Sequence, residues 1–156
     1  MEIETPLIIA EAGERKTVDT RPMLTKPNLI EKVLRPKFSE LCLEEFHALT
    51  LDAKMREIGT YLISRGTAMC AMIEPREVFR RAILDCACFV VVAHNHPSGD
   101  VAPSESDIKS TEKLIAAGKV VGIELIDHLI LGTSPCVKSN GYASLAYLGY
   151  IDAKTN

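Results

Sequence analysis

Two histidines and an aspartate stand at a spacing that suits a metal site. His94 and His96 lie two residues apart after the apolar run 88–93 (CFVVVA), which predicts a strand buried on both faces. Because side chains alternate along a strand, both imidazoles should project from the same face. A turn-rich stretch beginning Pro97-Ser98-Gly99 can reverse the chain, and Asp107 should follow in the first turn of the next helix. The pattern therefore predicts a His/His/Asp metal site.

The chemistry of this set favours catalysis by zinc. Two imidazoles and one carboxylate suit Zn²⁺ and leave its fourth tetrahedral position to water, as in catalytic zinc sites. Zinc lowers the pKa of such a water toward about 7 and can polarise a carbonyl, which suits amide hydrolysis. Each part also has a plainer interpretation, since Ser104-x-x-Asp107 is a helix-start signature that needs no metal. The joint occurrence within fourteen residues favours the metal site.

The elements that must position these residues mix strands and helices. Alternating runs at 46–52 and 57–64 predict a hairpin, a helix opens at Pro75, and a further strand covers 123–131. Two more helices are predicted at 28–34, with Pro36 beyond its end, and at 104–117, with Gly118 as its stop. Hairpins beside helices predict an α+β fold, a mixed β-sheet flanked by helices.

Composition and charge indicate what class of protein this is. With 156 residues and 47% hydrophobic residues, the chain can build the core of one domain. Its net charge is −3 and it has no stripe of Lys and Arg, so DNA as a partner is left open but is not supported by charge. It has no apolar run of about 18 residues and no basic, signal-like N-terminus, so we expect a cytoplasmic protein without membrane contact.

The cysteines predict neither disulfides nor a zinc knuckle. There are five, an odd number, and none are in C-x-x-C spacing. Cys86 and Cys88 straddle a predicted helix end and strand start, so we expect both to be buried free thiols.

The segment from His94 to Asp107 resembles a known signature. HNHPSGD at 94–100 with SESD at 104–107 matches the JAMM motif, H-x-H, seven residues, then S-x-x-D, of the JAB/MPN metalloprotease superfamily. PREVFRRAI and IDHLILG are similar to its RadC-like branch, long labelled as DNA-repair proteins. The resemblance covers residues 38–150 as the domain. Residues 1–37 are then an N-terminal arm with a short helix, and 151–156 a C-terminal tail.

The resemblance implies a cytidine-deaminase-like layout and a zinc peptidase or isopeptidase acting on a peptide or protein substrate. His94, His96 and Asp107 would be the ligands, and Ser104 would steady the tetrahedral intermediate. A glutamate would be the general base. Glu44 matches the family's placement of that acid some fifty residues ahead of the histidines.

Four further acids and histidines compete for roles. Glu45 adjoins Glu44 and should point elsewhere, and Glu77 should complement the dipole at the start of its helix. For His128 we expect burial with a hydrogen bond to the backbone. Asp127 either orients a site histidine or is an exposed edge acid, and the sequence leaves both open.

Two rival functions come from other classes. One is a DNA-repair or recombination module with a structural or vestigial metal site, which predicts a basic face and steeply salt-dependent DNA binding. Residues 1–37 are too few for the helix-hairpin-helix part common in RadC-like proteins, so we expect a short, single-domain form, which weakens this rival. The other is a scaffold of the MPN type that has lost its metal, although all three ligand residues are present here.

Overall fold

The computed structural model describes residues 19–38, 43–66, 73–133 and 141–152. The predicted N-terminal arm falls partly, and the predicted C-terminal tail mostly, outside these residues. The described elements mix helices with a strand hairpin and confirm the α+β prediction. In chain order they are α1 (Pro27–Phe38), β1 (Glu44–Leu51), β2 (Glu57–Gly66), α2 (Pro75–Leu84), β3 (Phe89–His96), α3 (Glu105–Val121), β4 (Glu124–Gly132) and β5 (Tyr142–Ser144).

The strands form one mixed sheet in the order β2-β1-β3-β4-β5. All neighbours are antiparallel except β3 and β4, which are parallel and are joined by the crossover helix α3. β3 is the central strand, and its residues from Val90 to Ala93 are fully buried. Its register pairs His94 with Phe46 of β1 on one side and with Ile130 of β4 on the other. The histidines therefore lie at the carboxyl end of the central strand.

Helices cover both faces of the sheet. Val90 and Val92 pack with α2 and α3, through side chains such as Phe79 and Leu114. Val91 and Ala93 pack on the other face, against Leu24 of the preceding segment and against Ile30, Leu34 and Phe38 of α1. Because side chains alternate along β3, this division turns His94 and His96 toward the face that carries α3.

Helix α1 is longer than the sequence predicts. It continues past Leu34 to Phe38 and contains Pro36, which we expected beyond its end. Phe38 is fully buried and its ring meets the His47 ring edge-on at a centroid distance of 4.7 Å. Arg35 also donates to the backbone oxygens of Gly132 and Gly141. These tertiary contacts hold the last turn in helical form despite the proline.

The predicted end of α3 at Gly118 is wrong. The helix runs on to Val121, and Gly122, with φ of 73°, is the left-handed residue at its C-terminus. Gly118 is instead buried within the helix, where a Cβ would lie 2.5 Å from the backbone oxygen of Ile123. This glycine permits a close approach of the chain and does not stop the helix.

The expectation of buried thiols is also wrong, because Cys86 and Cys88 are both exposed. Helix α2 ends at Leu84, and Cys86 follows in a turn with φ of 51°. The helical periodicity that would have buried Cys86 therefore stops two residues before it. Cys88 precedes β3, ahead of the buried run that begins at Val90. The other three cysteines lie outside the described residues. No helix in the described segments is long and apolar enough to cross a membrane.

Candidate metal centre

The three side chains of the predicted metal site converge. The Nε2 atoms of His94 and His96 are 2.9 Å apart. One carboxylate oxygen of Asp107 lies 3.2 Å from Nε2 of His94, and the other lies 3.7 Å from Nε2 of His96. The histidines come from the end of β3 and the aspartate from the first turn of α3, and His94 is 5% exposed. This group could bind a metal ion.

Asp107 is held by the N-terminal cap of α3. The Ser104 hydroxyl and the Ser104 backbone N–H each donate to the same Asp107 oxygen at 2.7 Å. The Asp107 N–H donates in return to the Ser104 hydroxyl at 3.2 Å. Burial raises the pKa of Asp107, but its contacts with His94 and Ser104 outweigh burial and hold that pKa well below its ordinary value. The Asp107 carboxylate that faces the histidines is therefore also part of the helix cap.

The ring of His96 is oriented by the loop that follows it. Its Nδ1 lies 2.6 Å from the backbone oxygen of Asp100. A carbonyl oxygen only accepts, so Nδ1 carries a proton, and in the neutral ring the lone pair is on Nε2. The Asp100 carboxylate accepts from the N–H of Ala102, which is turn chemistry.

The ring of His94 is oriented by buried side chains. Its Nδ1 lies 2.8 Å from Nε2 of His128, and Nδ1 of His128 lies 2.7 Å from the Thr111 hydroxyl. The Phe46 ring stacks nearly parallel to His94 at 6.0 Å. Burial, with the electrostatic effect of the neighbouring His94 second, holds the pKa of His128 well below its ordinary 6.5. The expected burial of His128 is confirmed, but the partners of its ring are side chains because the ring faces α3.

Asp127 fits neither of the roles left open for it. It is buried, and its carboxylate accepts from the Ser144 hydroxyl and from the N–H groups of His128 and Ala146. Burial raises the pKa of Asp127 against the opposing effect of these bonds. Its carboxylate joins β4 to the segment around β5.

The three candidate glutamates have different surroundings. Glu44 is on the same face of β1 as Phe46 and lines a cleft of about 300 Å³ together with His94, His96 and Asp107. Glu45 also contributes to the lining of this cleft, but its carboxylate is bonded to His47 at 2.8 Å and to Arg65 at 2.6 Å.

Glu77 lies in the first turn of α2, where it pairs with Arg76 and Arg80 at 3.5 Å. Of the three glutamates, Glu44 is therefore the one that borders the cleft without a hydrogen bond or ion pair to its carboxylate among the contacts of the described residues.

Sequence reasoning missed Asn95, the residue between the two histidines. Its side chain is fully buried on the opposite face of β3. The carboxamide oxygen accepts from the N–H of Glu45 at 2.8 Å, and the nitrogen donates to the Leu43 backbone oxygen at 3.1 Å and the Thr133 hydroxyl at 3.0 Å. The available signal was a polar residue at the end of an apolar strand, where its hydrogen-bonding groups need buried partners.

Comparison with known proteins agrees with this architecture. The family model described as RadC-like JAB domain matches residues 24–150. Similar proteins include UPF0758 proteins of Symbiobacterium thermophilum (39% identical, covering 91% of this chain and 56% of the relative) and Methanococcoides burtonii (40%, covering 92% and 60%). A UPF0758 protein of Staphylococcus haemolyticus is 37% identical, with 92% of this chain and 62% of the relative covered.

The chain thus spans roughly six-tenths of the length of these relatives, from 56% to 62%. The similarity itself extends over the sheet, its helices and the His/His/Asp group. Because the family model matches most of the chain, the chain belongs to the RadC-like JAB domain family.

Proposed function

We propose that this chain is a zinc-dependent metallohydrolase, a peptidase or isopeptidase. The observation that supports the proposal is the convergence of His94, His96 and Asp107 in a cleft that Glu44 also lines. Nitrogen, nitrogen and carboxylate donors with room for a substrate are typical of catalytic zinc sites.

The donor atoms themselves favour a cation. In the neutral ring of His96 the lone pair is on Nε2, and this atom lies 2.9 Å from Nε2 of His94. The ionised Asp107 carboxylate adds a third electron-rich group at 3.2 Å from His94. Such atoms repel one another unless a cation or a proton lies among them. Two imidazoles and one carboxylate suit zinc among the common cations. A bound zinc would supply Lewis-acid chemistry, activating a water and polarising an amide carbonyl.

Glu44 would move the proton in this reaction. Its carboxylate would accept a proton from the attacking water and deliver it to the leaving nitrogen of the amide. The carboxylate of Glu45 is already bonded to His47 and Arg65 and is less available for transfer. Glu44 is the first residue of β1, two residues before Phe46, which pairs with His94, so its distance from the site is set by rigid backbone.

Ser104 would stabilise the negative charge that develops on the substrate oxygen. Its hydroxyl donates to Asp107 in this structure, so it must turn from that oxygen to reach the substrate. The Ser104 backbone N–H bonds the same Asp107 oxygen at 2.7 Å and keeps the carboxylate in place. The cap can therefore release its hydroxyl without freeing Asp107.

The metal content of the purified protein tests whether the chain binds zinc. We expect about one zinc per chain by elemental mass spectrometry, falling sharply in Asp107→Ala and persisting in Glu44→Gln. A wild type that takes up no zinc after reconstitution would contradict the proposal. The DNA-associated alternative would then predict DNA binding that weakens steeply with salt.

Hydrolytic activity tests whether the chain is a peptidase or isopeptidase and whether Glu44 is its general base. With a library of quenched fluorescent peptides and isopeptide-linked substrates, Glu44→Gln should lower the rate by roughly 10²- to 10⁴-fold at unchanged zinc content. Equal activity of Glu44→Gln and wild type would remove Glu44 from the base role. A Glu77→Gln variant is the matched control, because its ion pairs lie at the surface of α2.

A further inference from the structure

We propose that Thr111 sets the tautomer of His94 through His128, and so decides whether Nε2 of His94 can bind a cation. The proposal concerns three residues in a row, Thr111 on α3, His128 on β4 and His94 on β3. It rests on the proposed metal site. Thr111 and His128 act here as positioning residues, since His94 alone of the three faces the ion.

The row begins at a backbone carbonyl of α3. The Thr111 hydroxyl lies 2.7 Å from the backbone oxygen of Asp107. A carbonyl oxygen only accepts, so the single hydroxyl proton of Thr111 is used in this bond. The contact of 2.7 Å between Thr111 Oγ1 and Nδ1 of His128 then needs a proton from the ring. Nδ1 of His128 must therefore be the protonated nitrogen.

The proton on Nδ1 of His128 in turn fixes the tautomer of His94. A neutral imidazole with its proton on Nδ1 has a bare Nε2, which can only accept. Nε2 of His128 lies 2.8 Å from Nδ1 of His94, so His94 must donate from Nδ1. In the neutral ring of His94 the lone pair is thereby left on Nε2, the atom that faces His96 and Asp107. Each of the three hydrogen bonds has one direction, fixed by the carbonyl at its start.

Burial keeps the row in place and away from water. His128 is fully buried and Thr111 is 1% exposed, so water does not compete for their polar atoms. The Phe46 ring meets His128 edge-on at 5.5 Å and stacks on His94. A buried ring without a fixed partner could carry its proton on either nitrogen. If His128 carried it on Nε2, the proton of His94 would move to its own Nε2 and block the cation.

The two histidine ligands are therefore oriented by different means. His96 is fixed directly by the backbone oxygen of Asp100. His94 is fixed indirectly, through Thr111 and His128, by the backbone oxygen of Asp107. The carboxylate of Asp107 belongs to the same candidate metal site. The position of the first turn of α3 therefore determines the tautomer of His94, the ring that lies opposite this turn.

The test compares Thr111→Val, which removes the hydroxyl at nearly constant size, with Thr111→Ser, which keeps it. In zinc competition against a chelator, Thr111→Val should raise the Kd about 10- to 100-fold. Thr111→Ser should stay near wild type. Chemical unfolding measures the free energy of unfolding of each variant. If Thr111 has only a structural role, Thr111→Val should lower this free energy without changing the tautomer of His94.

Nuclear magnetic resonance of ¹⁵N-histidine-labelled, metal-free protein reads the tautomer directly. We expect His94 to carry its proton on Nδ1 in wild type and Thr111→Ser, and on Nε2 in a large fraction of Thr111→Val. A wild-type His94 protonated on Nε2 overturns the proposal, as does a Thr111→Val variant with unchanged tautomer and unchanged Kd.

This design separates the inference from the proposed function. Zinc binding without any hydrolysis leaves the row intact and contradicts only the peptidase role. A wild type that binds no zinc contradicts the proposed function, while the tautomer of the metal-free protein still tests the row.

Discussion

The side-chain amide of Asn95 holds the backbone on both sides of Glu44. It accepts from the N–H of Glu45 at 2.8 Å and donates to the backbone oxygen of Leu43 at 3.1 Å. Asn95 stands between the two histidines, whose rings project from the other face of β3. One three-residue segment therefore presents two candidate ligands and also fixes the strand that carries the candidate base.

Replacing Asn95 with Ala should loosen the start of β1. Loss of a buried hydrogen bond of about 1 to 1.5 kcal/mol corresponds to roughly tenfold faster hydrogen exchange at the Glu45 amide. Zinc content should persist, because the histidine rings do not contact this amide. The matched control is Thr133→Val, which removes only the third contact of Asn95. Unchanged exchange at Glu45 in Asn95→Ala would show that the ladder with β2 and β3 suffices alone.

Gly132 sets how closely the loop after His96 approaches β4. A Cβ at this position would lie 2.8 Å from the backbone oxygen of Gly99 and 3.3 Å from the Val101 side chain. Gly132→Ala should therefore displace the loop whose Asp100 carbonyl orients His96. We expect a loss of about 1 to 3 kcal/mol in stability. We also expect weaker zinc binding, measured by chelator competition.

Gly141→Ala is the control for that substitution, since a Cβ at Gly141 would meet nothing within 4 Å. It should leave stability within about 0.5 kcal/mol of wild type. Equal zinc affinity in Gly132→Ala and wild type would mean that the loop yields without moving the Asp100 carbonyl.

The convergence of His94, His96 and Asp107 could be predicted because its determinants are local in sequence. His94 and His96 share a face by strand alternation, and Asp107 takes its place from the cap of the following helix. The buried part of β3 could likewise be predicted, because its β-branched residues occupy both faces of the strand. These features need no knowledge of what packs against them.

The features that the sequence did not predict depend on distant contacts. The extent of α1 depends on Phe38 meeting His47 and on Arg35 reaching Gly132, 97 residues away. The partners of His128 come from α3 and β3, and those of Asn95 from the start of β1 and from Thr133 after β4. A helical repeat also could not show that α2 stops before Cys86. In each case tertiary packing overrides or completes the local pattern.

The pH dependence of stability should include a contribution from Glu45. Burial raises the pKa of this carboxyl, but the hydrogen bonds from His47 and Arg65 outweigh burial and lower it below the ordinary 4.5. The unfolded chain therefore binds this proton at higher pH than the folded chain. The stabilisation is fully present above the unfolded pKa of 4.5 and is lost as the pH falls through the folded pKa.

Glu45→Gln removes this contribution. At pH 7 the variant should be about 1 to 3 kcal/mol less stable than wild type, since a charged hydrogen-bond partner is lost. The difference should shrink as the pH falls below 4.5, measured by urea unfolding at several pH values. Glu77→Gln, at an exposed ion pair, should show a difference under about 1 kcal/mol throughout. A Glu45→Gln difference that is constant with pH would show that the carboxyl is not coupled to folding.

Gly118 should resist substitution although it lies inside a helix. Alanine usually favours a helix over glycine by about 1 kcal/mol. Here a Cβ would lie 2.5 Å from the backbone oxygen of Ile123 and 3.2 Å from the Phe79 ring. The nearer atom belongs to backbone and cannot move aside as a flexible side chain would. The clash should outweigh the propensity gain, so Gly118→Ala should lower the free energy of unfolding by about 1 to 3 kcal/mol.

The comparison for this substitution is Glu112→Ala, at an exposed position of the same helix, which should change stability by less than about 0.5 kcal/mol. Zinc content should be unaffected in both variants, because Gly118 lies beyond Leu114 toward the far end of α3 from Asp107. If Gly118→Ala proves more stable than wild type, the helix can shift away from Ile123 at little cost. The glycine would then be dispensable for the close packing of α3 against the start of β4.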